Sequence, residues 1–132
     1  MNRPFHFEIH VTDPAKSQAF FEKVFGWKFS KWNGPEEFWL VNTGESGSGI
    51  NGGFLRSRDG QPRTVNTVEV VSVDEACDKV KKAGGQVVVP KMPIPGIGWL
   101  AYCTDPGGVL FGVSQLDTAR ASTPPGANEL PA

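Results

Sequence analysis

Phe5-His6-Phe7-Glu8-Ile9-His10 with Asp13-Pro14 behind it, and Asn66-Thr67-Val68-Glu69-Val70-Val71 with Asp74-Glu75 behind it, are two copies of one pattern in a 132-residue chain. Glu69 follows Glu8 by 61 positions, and Asp74 follows Asp13 by the same interval. Farther along, Phe38-Trp39-Leu40 is answered by Gly98-Trp99-Leu100, and Gly53-Phe54 by Gly112-Val113. A repeat of this size points to two supersecondary units that bury their hydrophobic faces together. A chain this short holds about one domain, so the copies share one core.

Working outward, residues 5–11 alternate, with Phe5, Phe7, Ile9 and Val11 on one side and His6, Glu8 and His10 on the other. That period of two predicts a strand with one apolar face. Asp13 can accept from free backbone N–H groups and Pro14 suits a first helical turn, so a helix follows, burying Ala19, Phe20, Phe21 and Val24 and closing at Gly26 in a left-handed cap. Strands are expected over residues 27–32, 38–42 and 50–55, separated by Asn33-Gly34-Pro35 and the glycine-rich stretch 44–49. The second copy repeats the order. Ser72-Val73-Asp74-Glu75 reads as a capping box, and Val73, Ala76, Cys77 and Val80 follow helical spacing up to Gly84-Gly85. Strands are then expected over 86–89, 99–103 and 109–114.

These elements predict an α+β fold: two tandem βαβββ modules, residues 1–55 and 64–116, joined by a polar linker at 56–63. They form one structural domain, an open eight-stranded barrel-like cleft with its helices outside. The proline-rich end, residues 117–132, is too poor in apolar side chains to pack and reads as a mobile tail. The sheet face lined by His6, Glu8, Thr67 and Glu69 borders the concave space between modules, where a small ligand would bind.

Composition narrows the function. Net charge is −1 and there is no Lys/Arg run, which argues against nucleic acid as a partner. No apolar stretch reaches the ~20 residues of a membrane-spanning helix, and the polar alternation of residues 1–11 is unlike a secretion signal, so a cytoplasmic location is expected. Cys77 and Cys103 stand apart from any C-x-x-C or histidine and read as small buried apolar residues.

The motifs together resemble the vicinal oxygen chelate superfamily, which includes glyoxalase I, bleomycin-resistance proteins and extradiol dioxygenases. The resemblance spans about residues 4–116 and rests on His6-Phe7-Glu8-Ile9 before Asp13-Pro14, on Phe20-Phe21-Glu22-Lys23-Val24-Phe25-Gly26-Trp27, on Gly49-Ile50-Asn51-Gly52-Gly53, and on Thr104-Asp105-Pro106-Gly107-Gly108 before Phe111-Gly112. Pro93-Ile94-Pro95-Gly96-Ile97-Gly98-Trp99 is similar to a bacterial branch of enzymes related to lactoylglutathione lyase. The resemblance implies a homodimer and one divalent metal held at four positions, which fall here on His6, Gly53, Thr67 and Gly112. Only His6 offers a metal-binding side chain, so no cofactor is expected, with a rebuilt divalent site on His6, Glu8 and Glu69 as the exception.

Three functions from different classes remain open. The first is a small-molecule binding protein of the glyoxalase/bleomycin-resistance type. The second is a glyoxalase-like lyase or isomerase acting on a small carbonyl compound, metal-free or with a rebuilt site. The third is a partner or regulatory module in which the fold survives and side chains fill the cleft. For catalysis the candidates are Glu8, Glu69 and His6, because two repeat-related carboxylates brought close in a cleft would raise one pKa into a useful range. For ligand binding they are His10, Trp39, Asn51, Gly53, Thr67, Trp99 and Gly112. The two tryptophans offer flat walls, and the two glycines leave volume at the centre.

Overall fold

The computed structural model describes residues 1–95 and 97–117. The chain runs β1 (Arg3–Val11), α1 (Pro14–Phe25), β2 (Lys28–Lys31), β3 (Trp39–Asn42), β4 (Gly52–Arg56), β5 (Arg63–Glu69), α2 (Val73–Lys82), β6 (Gln86–Ile94), β7 (Gly98–Thr104) and β8 (Leu110–Leu116). The βαβββ order therefore occurs twice. All strands join one open sheet in the order β2-β3-β4-β1-β5-β8-β7-β6. The modules meet where β1 pairs antiparallel with β5, and within each module the first strand pairs parallel with the last, β1 with β4 and β5 with β8. The tail assigned to 117–132 lies, beyond Asp117, outside the described residues.

Local signals account for the helix ends. Asp13 accepts from the Lys16 amide, and Gly26 takes φ +72° at the C-terminus of α1. Ser72 accepts from the Glu75 amide at the start of α2, and Gln115 Oε1 on β8 accepts from the Val73 amide at 2.9 Å, which ties that helix to the sheet. The second module's core forms under α2 from Val70, Val73, Cys77, Ala101, Cys103 and Val113. Both cysteines are buried and free, and burial, with the Cys77 thiol alongside, pushes the Cys103 thiol up, so both act as packing residues.

Helix α1 departs from the expected packing. Ala19, Phe20 and Val24 are exposed, Phe21 is half-buried, and Pro14 alone in the helix is fully buried. The sheet beneath it is already filled by Val11, Val41 and Phe54 with Phe7, Ile9, Phe29, Trp27 and Trp39 around them. Phe21 reaches that layer and stacks on Trp27 with ring centroids 5.1 Å apart, whereas the other apolar side chains of the helix lie outside it.

Two strand limits also differ. The expected linker at 56–63 is strand at both ends, because β4 reaches Arg56 and β5 begins at Arg63. Strand β6 continues past residue 89 to Ile94 despite Pro90 and Pro93, as an irregular partner of β7. An edge strand tolerates proline because one row of its N–H groups has no partner strand.

Candidate functional site

Side chains of β1 alternate across the sheet: Phe7 and Ile9 join the helix-side core, whereas His6, Glu8 and His10 are buried on the opposite face. Phe5 was expected on the Phe7 side, but the β1–β5 register shifts between Pro4 and His6, and Phe5 turns toward the cavity and stacks on His6.

The cavity, of about 120 Å³, lies on that face. His6, Glu8, Thr67, Tyr102 and Ser114 form its polar part. Trp32, Phe38, Leu55 and Leu100 form apolar wall, and Met92 to Pro95 with Ile97, from the end of β6 and the turn behind it, close another side. Arg58 and Glu36, both exposed, supply its charged rim.

Glu8 is the electrostatic centre. Tyr102 donates its phenolic hydrogen to Glu8 Oε1 at 2.6 Å, and His10 Nε2 lies 2.9 Å from the same oxygen. His6 Nε2 stands 3.7 Å from Oε2, beyond hydrogen-bond distance but close enough for strong electrostatic influence. Burial pushes the Glu8 carboxyl up, but His10, His6 and Tyr102 together outweigh it and hold the pKa at about 2. Tyr102 is pushed the other way, by its own burial first and then by the Glu8 charge, so its phenol stays protonated.

Opposite His6 in the β1–β5 register stands Thr67. Among the described residues, His6 Nδ1 and Thr67 Oγ1 are both buried and without a hydrogen-bond partner. A buried polar atom left without a partner costs on the order of 1–3 kcal/mol. Thr67→Val keeps the shape and removes the orphan hydroxyl. The expected result is a gain of about 1 kcal/mol in unfolding free energy, seen as a rise of roughly 3 °C in midpoint by thermal denaturation. A loss of stability would mean that Thr67 already has a partner.

The expected Glu8–Glu69 pair does not form. Residue 6 faces its repeat equivalent, residue 67, so the twofold relation of the modules centres there. Glu8 lies across from Val65 and Glu69 across from Arg3, on opposite sides of that centre. Four strand positions separate the two carboxylates, roughly 13 Å. Like-charge elevation is therefore absent, and the Glu8 pKa moves down instead.

The other candidates divide. His6 and Thr67 line the cavity, and His10 sits behind Glu8 with its ring edge-on to Tyr102. Trp39 and Trp99 instead pack on the helix-side cores, each with a lysine over its ring, Lys31 at 5.3 Å and Lys91 at 4.9 Å. The repeat preserved them as packing with a cation–π cover. Asn51 accepts from Thr43 in the turn before β4 and lies outside the cavity. The space at Gly53 is not empty: a side chain there would collide with the ring of Phe38, which fills the position and forms wall. At Gly112 an added Cβ would stand 3.3 Å from Thr67 Oγ1, a tight fit beside the orphan hydroxyl.

Tyr102, Arg58, Trp32 and Phe38 were not singled out from the sequence. Tyr102 is the only tyrosine in the chain, and alternation along β7 puts it on the face opposite Ala101 and Cys103 of the core. Arg58 was hidden in the supposed linker.

The four positions at which the resemblance implies a metal, His6, Gly53, Thr67 and Gly112, offer one imidazole, one hydroxyl and two glycines. Among the described residues no group of three or more His, Cys, Asp or Glu side chains is placed to hold a metal ion. His6 Nε2 lies nearest Glu8 Oε2, at 3.7 Å, and His10 Nε2 nearest Oε1, at 2.9 Å.

The family described as bleomycin resistance protein-like N-terminal matches residues 3–44. Mycobacterium tuberculosis and Mycobacterium bovis proteins named "Putative glyoxylase CFP32" are 29% identical over 121 residues, 88% of this chain and 46% of theirs. The chain thus spans about half the length of these curated relatives. Methylmalonyl-CoA epimerase from Mycobacterium tuberculosis shares the fold with a TM-score of 0.67 at 15% identity, covering 91% of each chain. A hypothetical protein from Bacillus halodurans matches at 0.65 and 18% identity, over 87% of this chain and 94% of the other. Streptomyces coelicolor methylmalonyl-CoA epimerase, in complex with 2-nitronate-propionyl-CoA, matches at 0.63 and 13% identity, over 88% and 95%. Over residues 3–44 the chain is thus similar to the bleomycin-resistance-like family, over most of its length it is similar to the glyoxylase-named mycobacterial proteins, and it shares its fold with the epimerases.

Among the described residues no helix is long and apolar enough to cross a membrane.

Proposed function

We infer that this protein binds a small organic molecule in the cavity between its modules and holds it without a divalent metal. The observation that carries the reading is the cavity itself, about 120 Å³, with its polar part formed by His6, Glu8, Thr67, Tyr102 and Ser114 from both modules. These side chains would orient a ligand's polar group, and the aromatic and aliphatic walls would cover its apolar part. At ~10–15 Å³ for each water-sized group, the volume suits a ligand of on the order of ten non-hydrogen atoms. A fragment screen read by tryptophan fluorescence tests this, because Trp32 lines the cavity. Saturable quenching is expected, unchanged after dialysis against a chelator and lost in Ser114→Leu, which fills the floor. Absence of any saturable ligand in a broad screen of this size class would sink the reading.

The name of the mycobacterial relatives favours a second reading, a lyase or isomerase acting on a small carbonyl compound. A carboxylate with a pKa of about 2 is a weak proton acceptor, so Glu8 would be a poor base. Proton transfer would fall to His6 Nδ1, the unpartnered ring nitrogen. Consumption of a 2-oxoaldehyde with glutathione, abolished in a folded His6→Gln variant, would decide for this reading.

A further inference from the structure

Two charged groups stand exposed at the rim of the cavity, Arg58 and Glu36, whereas His6, Glu8 and Tyr102 are at most 6% exposed. The buried groups reach a ligand through the surface one. Glu8 accepts from the Tyr102 hydroxyl at 2.6 Å, which fixes the phenol, and the Arg58 guanidinium lies 5.4 Å over the phenol ring, within cation–π range. Arg58 is thereby seated at the rim with its N–H groups unspent: among the described residues no carboxylate pairs with it, unlike Arg56, Arg63 and Lys91. Glu36 shares the rim, but Arg58 bears on the Tyr102 phenol more strongly.

The apolar lining is open to a ligand as well. Trp32, Phe38, Met92, Ile94, Ile97 and Leu100 line the cavity and are only partly buried. Glu8 is held ionised on the same face, so an anion entering head-first would approach a fixed negative charge. A ligand anion is therefore favoured at the rim, with an apolar body inside.

We propose that the cavity takes a small apolar carboxylate, its aryl or branched aliphatic body against Phe38, Ile97 and Leu100 and its carboxylate outermost, on Arg58. This specificity rests on the binding reading above and deepens it by fixing the ligand's class and direction. Arginine suits the role because its planar fork matches a carboxylate in two parallel hydrogen bonds. An exposed ion pair alone contributes little, so the carboxylate adds affinity only to a body already seated among the walls.

Phenylacetate, phenylacetamide, phenethylamine and acetate, titrated calorimetrically into the full chain, separate the contributions. Phenylacetate should bind tightest, with phenylacetamide and phenethylamine weaker by about fivefold or more and acetate giving no saturable heat. Arg58→Gln should lower phenylacetate to the level of the amide and leave the amide unmoved. Added salt should likewise weaken phenylacetate and spare the amide. Equal binding of phenylacetate and phenylacetamide overturns the proposal, as does phenylacetate affinity that survives Arg58→Gln. Acetate binding as tightly as phenylacetate overturns it too, since the ion pair would then lie on open surface, and so does a lead for phenethylamine that Glu36→Gln removes. Failure of all four probes also overturns this ligand class, whereas the binding reading stands or falls on the fragment screen.

Discussion

Glu8→Ala is expected to lower the unfolding free energy by about 3–5 kcal/mol, read as a shift of the urea midpoint at neutral pH. Two groups depend on this carboxylate, the Tyr102 hydroxyl at 2.6 Å and His10 Nε2 at 2.9 Å, and both side chains are buried. Removing the acceptor strands them, which is costlier than never having built the network. Glu8→Gln keeps one acceptor oxygen and should cost about half as much. A domain of this size has roughly 5–15 kcal/mol in all, so the alanine variant should be marginal.

The same carboxylate sets an acid limit. Its folded pKa of about 2 lies below the unfolded value of 4.5, so its contribution is complete above the unfolded value and fades as pH falls through the folded one. The difference amounts to about 3 kcal/mol, lost between about pH 4.5 and pH 2. Asp59 is also held low, by its hydrogen bonds to Arg63 first, but it is fully exposed, so Asp59→Asn serves as the control. Urea midpoints across this window should fall steeply in the native chain and in Asp59→Asn, and only weakly in Glu8→Gln. Parallel curves for the native chain and Glu8→Gln would show that the network does not control acid stability.

The fold was legible because its rules are local. Alternation on β1, the caps at Asp13 and Ser72, and the repeat of His6-Phe7-Glu8 in Asn66-Thr67-Val68-Glu69 needed no knowledge of distant contacts, and all reappear in the elements and their pairing. The site was legible only where the two repeated first strands carried it, with His6 and Glu8 on β1 and Thr67 on β5. Repetition misled where it was taken for proximity: of the equivalent residues at these positions, those on the local twofold meet, and Glu8 and Glu69 lie to either side of it. Repetition also cannot distinguish a conserved wall from a conserved core, which is why Trp39 and Trp99 belong to packing. Gly53 shows a third limit, since what fills the place of a missing side chain is decided by a neighbour 15 positions away, Phe38. Tyr102 and Arg58 join the cavity from β7 and from the β4–β5 connection, a juxtaposition created by the tertiary fold.

The end of β6 and the turn leading into β7 depend on one glycine, and Gly98→Ala is expected to cost about 3 kcal/mol or more. Gly98 opens β7 with φ +152° and is buried. A Cβ there would collide with the backbone carbonyl oxygen of Gln115, and the Asp117 amide is next in its path. Backbone cannot swing aside as the Phe38 ring could at Gly53. Asp117 N is meanwhile held on Ile97 O at 2.9 Å, so the strain would pass into the turn that carries Pro95 and Ile97 against the cavity. Stability and ligand affinity should therefore fall together, affinity by about tenfold. Gly60→Ala isolates the backbone contribution, because Gly60 also has a positive φ, +78°, but open space around it. Its expected cost is about 1 kcal/mol with ligand binding unchanged. Equal losses in the two variants would mean that dihedral strain alone acts at Gly98; a larger loss at Gly98, accompanied by weaker binding, would locate the effect in the contact with β8 and in the cavity wall that contact supports.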